Sequence, residues 1–417
     1  MYPIAVGILA VVFLLIVMRR IGHVRLPIWA VMTAGAALAL VTGSITPEAA
    51  LAAVNIDVII FLFGMFVLGV AMERSGLLHT ASVAAFAKAS SRHQVMFWFI
   101  FLMAGASAFL MNDTVAIIGT PVALYCSHRF GIPVTRMLVA LAAAVTFGSV
   151  MTPIGNPQVL MIAMSGGVPN AFGTFFVYLC VPALVSLYIL YRMMIWHLPN
   201  TEVSSMYDRD SSSPEDPVLE RLTKVSLILV FVVICLRIGL SFTGYELPLV
   251  LIALAAALPL LLLSRWRVEL LRGVDWSTLL FFISMFVLMA AVWNTGVIQS
   301  LLPESFTTSM PVLFGVSVLV PQLVSNVPYV ALVLPVLESA AAPVYLYLTL
   351  AAGSTISGTL TILGAASSVI IIQNAEKHGE TMTFWEYFRV GIPLTIAASL
   401  VFIGWIWICS LLFGATG

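Results

Sequence analysis

The stretch Phe109-Leu110-Met111-Asn112-Asp113-Thr114 places polar residues in the middle of an apolar segment. A second stretch of this kind, Leu323-Val324-Ser325-Asn326-Val327-Pro328, follows with its asparagine 214 residues later (326 − 112). We interpret the surrounding segments, 94–126 and 309–342, as two apolar hairpins that each bend at an asparagine. Polar, non-helical backbone at membrane depth is tolerated only where it is buried in protein or lines a cavity. The two bends therefore predict a solute site inside a membrane bundle.

Each hairpin is followed by a second polar break within an apolar segment. The first break is Thr152-Pro153-Ile154-Gly155-Asn156-Pro157-Gln158, and the second is Thr361-Ile362-Leu363-Gly364-Ala365-Ala366-Ser367. They predict two broken helices, 134–165 and 344–375. Glycine at both breaks permits a close backbone turn. Hairpins and broken helices together favour a transporter.

The composition supports a membrane location. Hydrophobic residues make up 61% of the 417 residues and charged residues only 9%, whereas a soluble domain carries about 25% charged residues. Apolar runs of roughly 17–25 residues, long enough to cross a bilayer, recur along the chain. We therefore predict an all-α polytopic membrane protein whose surroundings are the lipid bilayer. The chain has no phosphate-binding glycine loop, which argues against built-in ATP hydrolysis, and no metal-ligand spacing. We expect no enzymatic activity, no nucleic-acid partner and no cofactor apart from Na⁺ or H⁺ as a coupling ion.

The two halves of the chain resemble each other. Phe63-Gly64-Met65-Phe66-Val67-Leu68 is matched by Ile283-Ser284-Met285-Phe286-Val287-Leu288. We predict an inverted repeat at residues 1–198, a cytoplasmic linker at 199–222 and a second inverted repeat at 223–417. Each repeat would contain five spans, one re-entrant hairpin and one broken helix. An odd number of spans turns the second repeat over relative to the first.

The charges predict the orientation. When the loop Arg19–Arg25 is placed in the cytoplasm, the other cytoplasmic loops collect nearly all of the 18 Lys and Arg residues. This asymmetry is what the positive-inside rule requires. We expect an inner (plasma) membrane protein with both termini on the periplasmic or outer side. The test does not establish re-entrance, because a hairpin that spanned fully would leave the orientation unchanged.

Asp113 is the one charged side chain at the centre of an apolar hairpin. A carboxylate in the bilayer costs a few kcal/mol, roughly 2.5–3.5 on insertion scales, so such a residue is usually functional. It could bind Na⁺ or carry a proton. Alternatively, it could cap the helix that follows, since aspartate is a favoured N-cap. The two roles are compatible.

The remaining site predictions follow from oxygen and amide groups at the bends and breaks. Asparagine offers both a carbonyl oxygen and amide donors, and a helix N-terminus attracts an anion. For any single serine or threonine, helix packing is the alternative. The predicted substrate-binding residues are Asn112, Thr114, Asn156, Gln158, Ser325, Asn326, Thr361 and Ser367. The predicted cation-binding residues are Asp113, Asn112, Thr152, Gly155, Asn326, Thr359 and Gly364.

At Met111-Asn112-Asp113-Thr114, Ser325-Asn326-Val327-Pro328 and Thr152-Pro153-Ile154-Gly155-Asn156-Pro157-Gln158, the chain resembles the ion transporter superfamily. That group includes divalent anion/sodium symporters, arsenite permeases, NhaD-type sodium/proton antiporters and the P protein. The resemblance implies a homodimer with an elevator mechanism, in which the hairpins and broken helices slide against a fixed part. The dicarboxylate branch has Ser-Asn-Thr at both tips, and neither tip here matches it fully.

These observations favour a secondary active transporter that couples a small inorganic or organic anion to Na⁺ or H⁺. Because a fixed charge at Asp113 would repel an anion unless it is neutralised, an arsenite/antimonite efflux permease and a Na⁺/H⁺ antiporter remain alternatives. A passive anion channel is the alternative from a different class. A membrane-embedded enzyme is less favoured, because Asp113 has no evident catalytic partner in the sequence.

Overall fold

The structure is a computed structural model of the 417-residue chain. It describes residues 2–18, 20–21, 24–25, 27–77, 80, 86, 89–202, 216–241, 243, 245, 247–297, 300 and 305–413. Most of the predicted linker, residues 203–215, lies outside the described residues.

The first half of the chain is helical, with one small antiparallel pair of strands. The strands are Arg20–Ile21 and Val24–Arg25. The helices are Tyr2–Met18, Ile28–Val41, Pro47–Ala53, Ile56–Arg74, Arg92–Phe109, Asn112–Phe130, Val134–Ser149, Pro157–Met164 and Ala171–Ile195. The last of these contains a π-helical turn at Phe176–Cys180.

The described part of the second half is also helical. Its helices are Pro217–Ser241, Val250–Leu263, Arg267–Gly273, Trp276–Trp293, Ser305–Thr308, Met310–Leu319, Pro321–Val324, Asn326–Ser339, Val344–Leu360, Ala366–Lys377 and Phe384–Phe413. A 3₁₀ turn at Ile362–Gly364 separates two of them. The helix that begins at Pro217 includes residues 217–222, which we assigned to the linker. Asp216 explains this start, since its Oδ1 accepts a hydrogen bond from the Val218 amide at 2.9 Å, and its Oδ2 accepts bonds from Arg265 and Trp266.

Five of the described helices are long and apolar enough to cross a membrane: Ile56–Arg74, Ala171–Ile195, Pro217–Ser241, Trp276–Trp293 and Phe384–Phe413. Seven further apolar helices contain between 10 and 17 residues. The fold is thus an all-helical, polytopic membrane-type fold. The four predicted interruptions of helix at the bends and breaks are all present, at 110–111, 150–156, Ser325 and 361–365.

Two helices form the centre of the molecule. In Val134–Ser149 every residue from Met137 onward is buried, and in Val344–Leu360 every residue from Leu346 to Thr359 is buried. A helix buried on all its faces must lie inside a bundle. These two central helices contact each other, and the two arms of each predicted hairpin pack around the central helix of their own half.

The return arms of the hairpins also reach across to the other half. Asn112–Phe130 contacts Ala366–Lys377, and Asn326–Ser339 contacts Pro157–Met164. Around this core lie the remaining helices, some of them very closely packed. A Cβ on Gly64 would lie 2.5 Å from the carbonyl oxygen of Ala253, so helices Ile56–Arg74 and Val250–Leu263 touch through backbone, as small residues allow in membrane bundles.

Candidate solute and cation site

The first hairpin bends where Leu110 and Met111 adopt extended backbone between two helices. The new helix begins at Asn112, whose backbone N–H donates a hydrogen bond to the carbonyl oxygen of Gly155 at 2.9 Å. The Asn112 Oδ1 atom accepts from the Asp113 amide at 3.0 Å. The bend is therefore joined directly to the break of the first broken helix. We call the group Asn112, Asp113, Thr152, Gly155 and Asn156 junction 1.

The break in junction 1 depends on one glycine. A Cβ on Gly155 would lie 2.1 Å from the carbonyl oxygen of Ser149, closer than any real contact, so no other residue fits without backbone movement. Thr152 donates a hydrogen bond to the carbonyl oxygen of Ala108, four residues before Asn112. The broken helix is therefore hydrogen-bonded to both arms of the hairpin, to the outgoing arm at Ala108 and to the return arm at Asn112.

Asn156 begins the second part of the broken helix. Its Oδ1 accepts from the Val159 amide at 2.9 Å, which is an N-cap. Its Nδ2 donates to Ser149 Oγ at 3.0 Å and to Thr355 Oγ1 at 3.3 Å. Because Thr355 belongs to the other central helix, this fully buried amide links the two halves of the chain.

Two polar atoms near junction 1 have no hydrogen-bond partner among the described residues. They are Asp113 Oδ1 and Gln158 Nε2, both fully enclosed by protein. A buried polar group without a partner is costly, and a carboxylate oxygen is the costlier of the two. A cation or a proton would satisfy Asp113, whereas the Gln158 amide can donate to an acceptor such as an anion.

The second hairpin bends at Ser325, which has a φ of +71°. A non-glycine residue at positive φ is strained by roughly 1–3 kcal/mol and such strain gathers at functional sites. Asn326 Oδ1 accepts from the Val327 amide at 2.9 Å, as Asn112 does from the next residue in junction 1. We call the group Gln322, Ser325, Asn326, Thr361 and Gly364 junction 2.

Gln322 connects the bend and the break of junction 2. Its Nε2 donates to the carbonyl oxygens of Ser357 at 2.8 Å and Val318 at 2.9 Å, and its Oε1 accepts from Thr361 Oγ1 at 2.6 Å. Gly364, like Gly155, packs directly against the backbone of the preceding helix. A Cβ added at Gly364 would lie 2.3 Å from the Ser357 carbonyl oxygen. Tyr387 donates to the carbonyl oxygen of Gly358 at 2.6 Å.

The two halves meet at the predicted site residues. Asn112 Nδ2 reaches Ser367 Oγ at 3.5 Å, the outer limit of a hydrogen bond. Farther along the same pair of helices, Asn374 Nδ2 donates to the Ile117 carbonyl oxygen at 2.8 Å. Asn112 and Asn326 are both buried, with 5% and 3% of their surfaces exposed. The structure thus joins Asn112 to Gly155 and Ser367 in junction 1, and it joins Gln322 to Thr361 and Gly364 in junction 2.

Two predicted residues face elsewhere. Thr359, assigned to cation binding, exchanges a hydrogen bond of 2.8 Å with Thr395 of helix Phe384–Phe413 and donates to Ile356. Thr114, assigned to substrate binding, packs against Gly69 of helix Ile56–Arg74. A Cβ added at Gly69 would lie 2.7 Å from the methyl group of Thr114. Both side chains hold helices together, as the packing alternative expects.

The sequence reasoning missed Gln322, Ser149 and Thr355. Gln322 had a signal, since it is an amide in an apolar arm at the position that matches Ala108 under the predicted offset (108 + 214 = 322). Ser149 and Thr355 lie in runs of small residues, where nothing separates a packing hydroxyl from one that binds an asparagine.

A cavity of about 290 Å³ lies beside the second broken segment of the first half. Its walls come from Pro157–Met164, the return arm Asn326–Ser339 and helix Trp276–Trp293, and include Asn55, Met161, Trp293 and Glu338. None of the predicted site residues lines it. It is a space between the core and the surrounding helices, adjacent to the helix that starts at Asn156.

Interrupted helices whose polar ends are buried in a membrane bundle define the class of protein: a membrane transporter. The sequence model of the citrate transporter family matches residues 13–345, and the chain belongs to that family.

Relatives and a solved structure agree with this assignment. An uncharacterised transporter of Mycobacterium tuberculosis H37Rv is 26% identical, with 87% of this chain and 88% of the relative aligned. The P protein of Mus musculus is 25% identical over 95% of this chain and 59% of its own length. The crystal structure of the Alcanivorax borkumensis YdaH transporter covers 99% of both chains with a TM-score of 0.58 at 15% identity, which shows the same fold. The resemblance to the ion transporter group, including the P protein, is thereby confirmed.

Proposed function

We propose that this protein is a secondary active transporter that moves a small inorganic or organic anion together with Na⁺ or H⁺. The observation that carries the proposal is the buried Oδ1 of Asp113 in junction 1, which has no hydrogen-bond partner in the part of the chain that the structure describes. Such an oxygen inside a membrane protein is satisfied by a cation or by protonation. The coupling ion would therefore bind between Asp113, the Asn112 amide group and the backbone near Gly155.

The anion would bind beside the cation. The helix Asn326–Ser339 directs the positive end of its dipole toward the bend at Ser325. Further donors near junction 1 are the hydroxyl group of Ser367 and Nε2 of Gln158, which binds no acceptor among the described residues. The family's description, citrate transporter, supports an anionic substrate. A cation bound first at Asp113 would remove the repulsion between two negative charges.

The mechanism we propose is an elevator movement. The two hairpins and two broken helices are tied to one another by Asn112–Gly155, Asn156–Thr355 and Gln322–Ser357 hydrogen bonds, so they would move as one body. The outer helices of a homodimer in the inner membrane would form the fixed part. Both chain termini would lie on the outer side, as the charge distribution favours.

Two other kinds of carrier are consistent with a buried carboxylate at Asp113. An arsenite or antimonite efflux permease would carry a neutral solute past a charged Asp113 without repulsion. A Na⁺/H⁺ antiporter would use Asp113 alternately for the two ions. A passive anion channel is the alternative from a different class. It would let the anion equilibrate across the membrane without accumulating it against its electrochemical gradient.

The test is substitution of Asp113 by asparagine in purified protein reconstituted into proteoliposomes. We expect Asp113→Asn to reduce Na⁺- or H⁺-driven accumulation of labelled citrate or arsenite by at least about tenfold. This corresponds to a loss of about 1.4 kcal/mol of free-energy coupling between the cation and the solute. Uptake is measured with an imposed Na⁺ gradient, a pH gradient or neither.

The matched control is Asp57→Asn, which removes an exposed carboxylate in the first turn of helix Ile56–Arg74 and should leave uptake unchanged. If Asp113→Asn keeps the Na⁺ and pH dependence of the parent protein, the proposed cation site is wrong. If the parent protein equilibrates solute without accumulating it, the channel replaces the carrier.

A further inference from the structure

Gln322 lies between the bend and the break of junction 2 and bonds to groups of both helices there. Counted from the asparagines of the two bends, its counterpart is Ala108 (322 − 214). The glycines of the two breaks lie 209 residues apart (364 − 155), which makes Thr361 the counterpart of Thr152 (361 − 209). In junction 1 the Thr152 hydroxyl group reaches the backbone carbonyl of Ala108 directly. In junction 2 the Thr361 hydroxyl group reaches the side-chain oxygen of Gln322 instead.

The amide nitrogen of Gln322 acts on backbone oxygens as a bound cation would. A helix leaves its last carbonyl groups without partners, and Ser357 lies in the last turn of Val344–Leu360. Both Nε2 hydrogens are used, one on the Ser357 oxygen and one on the Val318 oxygen. The Oε1 atom accepts from Thr361. Every hydrogen-bonding group of the amide is thus engaged, which makes a complete network.

Junction 1 contains no such side chain. Its acceptor, Asp113 Oδ1, is enclosed and unpartnered among the described residues, and at the matching position in junction 2 stands the apolar Val327 (113 + 214). Junction 1 therefore has a carboxylate oxygen without a hydrogen bond among the described residues. In junction 2, the carbonyl oxygens of Ser357 and Val318 already accept hydrogen bonds from Gln322.

We propose that Gln322 is a permanent substitute for a second coupling cation, so that each protomer binds a single cation, at junction 1. Gln322 is a positioning residue: it holds the Ser357 carbonyl and the Thr361 hydroxyl in place and fixes the transport stoichiometry. The inference rests on the proposed cation site at Asp113 and adds the number of cations that the duplicated architecture uses.

The test counts bound ²²Na⁺ per protomer by equilibrium dialysis of purified full-length protein. Gln322→Ala removes the amide and leaves a space bordered by the Ser357 oxygen, the Val318 oxygen and the Thr361 hydroxyl. We expect this variant to bind one more Na⁺ per protomer than the parent protein. Gln322→Met loses the same hydrogen bonds but fills the space, so it should bind no additional ion.

Ser317→Ala is a further control, because it removes the 3.0 Å hydrogen bond between Ser317 and Tyr329 in the same hairpin without touching Gln322. It should leave the Na⁺ count unchanged. A Gln322→Ala variant that binds the same number of ions as the parent protein overturns the inference, and so does a parent protein that already binds two. The second outcome is decisive even if Gln322→Ala does not fold.

A double variant separates this inference from the proposed function. In Asp113→Asn/Gln322→Ala the ion gained at junction 2 should remain while any ion at junction 1 is lost. If Asp113→Asn alone leaves Na⁺ and H⁺ dependence intact, the proposed function fails. If only the gain in Gln322→Ala is missing, the proposed function stands and the role of Gln322 is wrong.

Discussion

Junctions 1 and 2 share a backbone plan and differ in how their polar groups are satisfied. In each, a hairpin bend meets a helix break, a glycine packs against the preceding helix, and an asparagine oxygen accepts from the next amide. Junction 1 leaves a buried carboxylate oxygen without a partner among the described residues, whereas junction 2 uses Gln322 to satisfy its carbonyl groups. Similar backbone geometry therefore supports different chemistry at the two junctions.

The difference also appears at the start of the second helix of each break. Asn156 caps Pro157–Met164 with its side chain, but Ala365, its counterpart (156 + 209), has no capping atom. At the end of the preceding helix, Tyr387 of helix Phe384–Phe413 donates a hydrogen bond to the Gly358 carbonyl oxygen. The two breaks are therefore stabilised by different side chains.

The largest effect is expected from alanine at the two glycines. Gly155→Ala and Gly364→Ala would each place a Cβ within about 2.3 Å or less of a backbone oxygen. Overpacking of this kind costs roughly 1–3 kcal/mol and occasionally more, and here backbone must move, so both variants should lose folded protein. The measurement is the thermal unfolding midpoint in detergent. Gly105→Ala is the control, because a Cβ added there would have no atom within 4 Å apart from its chain neighbours and the backbone of its own helix. Midpoints equal to that of the control would show that the junctions are not close-packed.

An intermediate effect is expected from Asn156→Ala, which makes junction 1 resemble junction 2. It removes an N-cap worth about 1 kcal/mol and leaves the Ser149 and Thr355 hydroxyl groups without their amide partner, for a total of about 2 kcal/mol. Asn55→Ala removes only a cap, on Val58, and should cost about half as much by chemical denaturation. An equal loss in both variants would mean that the link from Asn156 to the other half contributes nothing.

The smallest effect is expected from Thr359→Val. Its hydroxyl group binds Thr395 rather than either junction, so loss of the hydrogen bond should cost about 1 kcal/mol or less. Na⁺ binding and cation-driven uptake should be unchanged within about twofold. The control is Thr395→Val, which breaks the same bond from the other side. A Thr359→Val variant that loses cation dependence would return Thr359 to the site.

Several features followed from local sequence because a local rule decides each of them. The bend at Asn112 and the break at Gly155 were located by polar residues in apolar runs, since membrane helices cannot expose unpaired backbone to lipid. Glycine at 155 and 364 was expected to permit a tight turn, and the structure shows contact with a backbone oxygen at both. Residues 217–222, which we assigned to the linker, instead begin helix Pro217–Ser241, because Asp216 binds Arg265 and Trp266 through contacts distant in sequence.

The amino-acid sequence by itself determined that the chain is an all-helical membrane transporter and where its helices stop, because hydropathy and backbone hydrogen bonding act over a few neighbouring residues. Only the tertiary structure decided which polar groups meet. It turned Thr359 toward Thr395, joined Asn156 to Thr355 across 199 residues and placed Gln322 on the Ser357 carbonyl. The physical reason is that a buried donor takes whichever acceptor the packing of distant helices brings within about 3 Å.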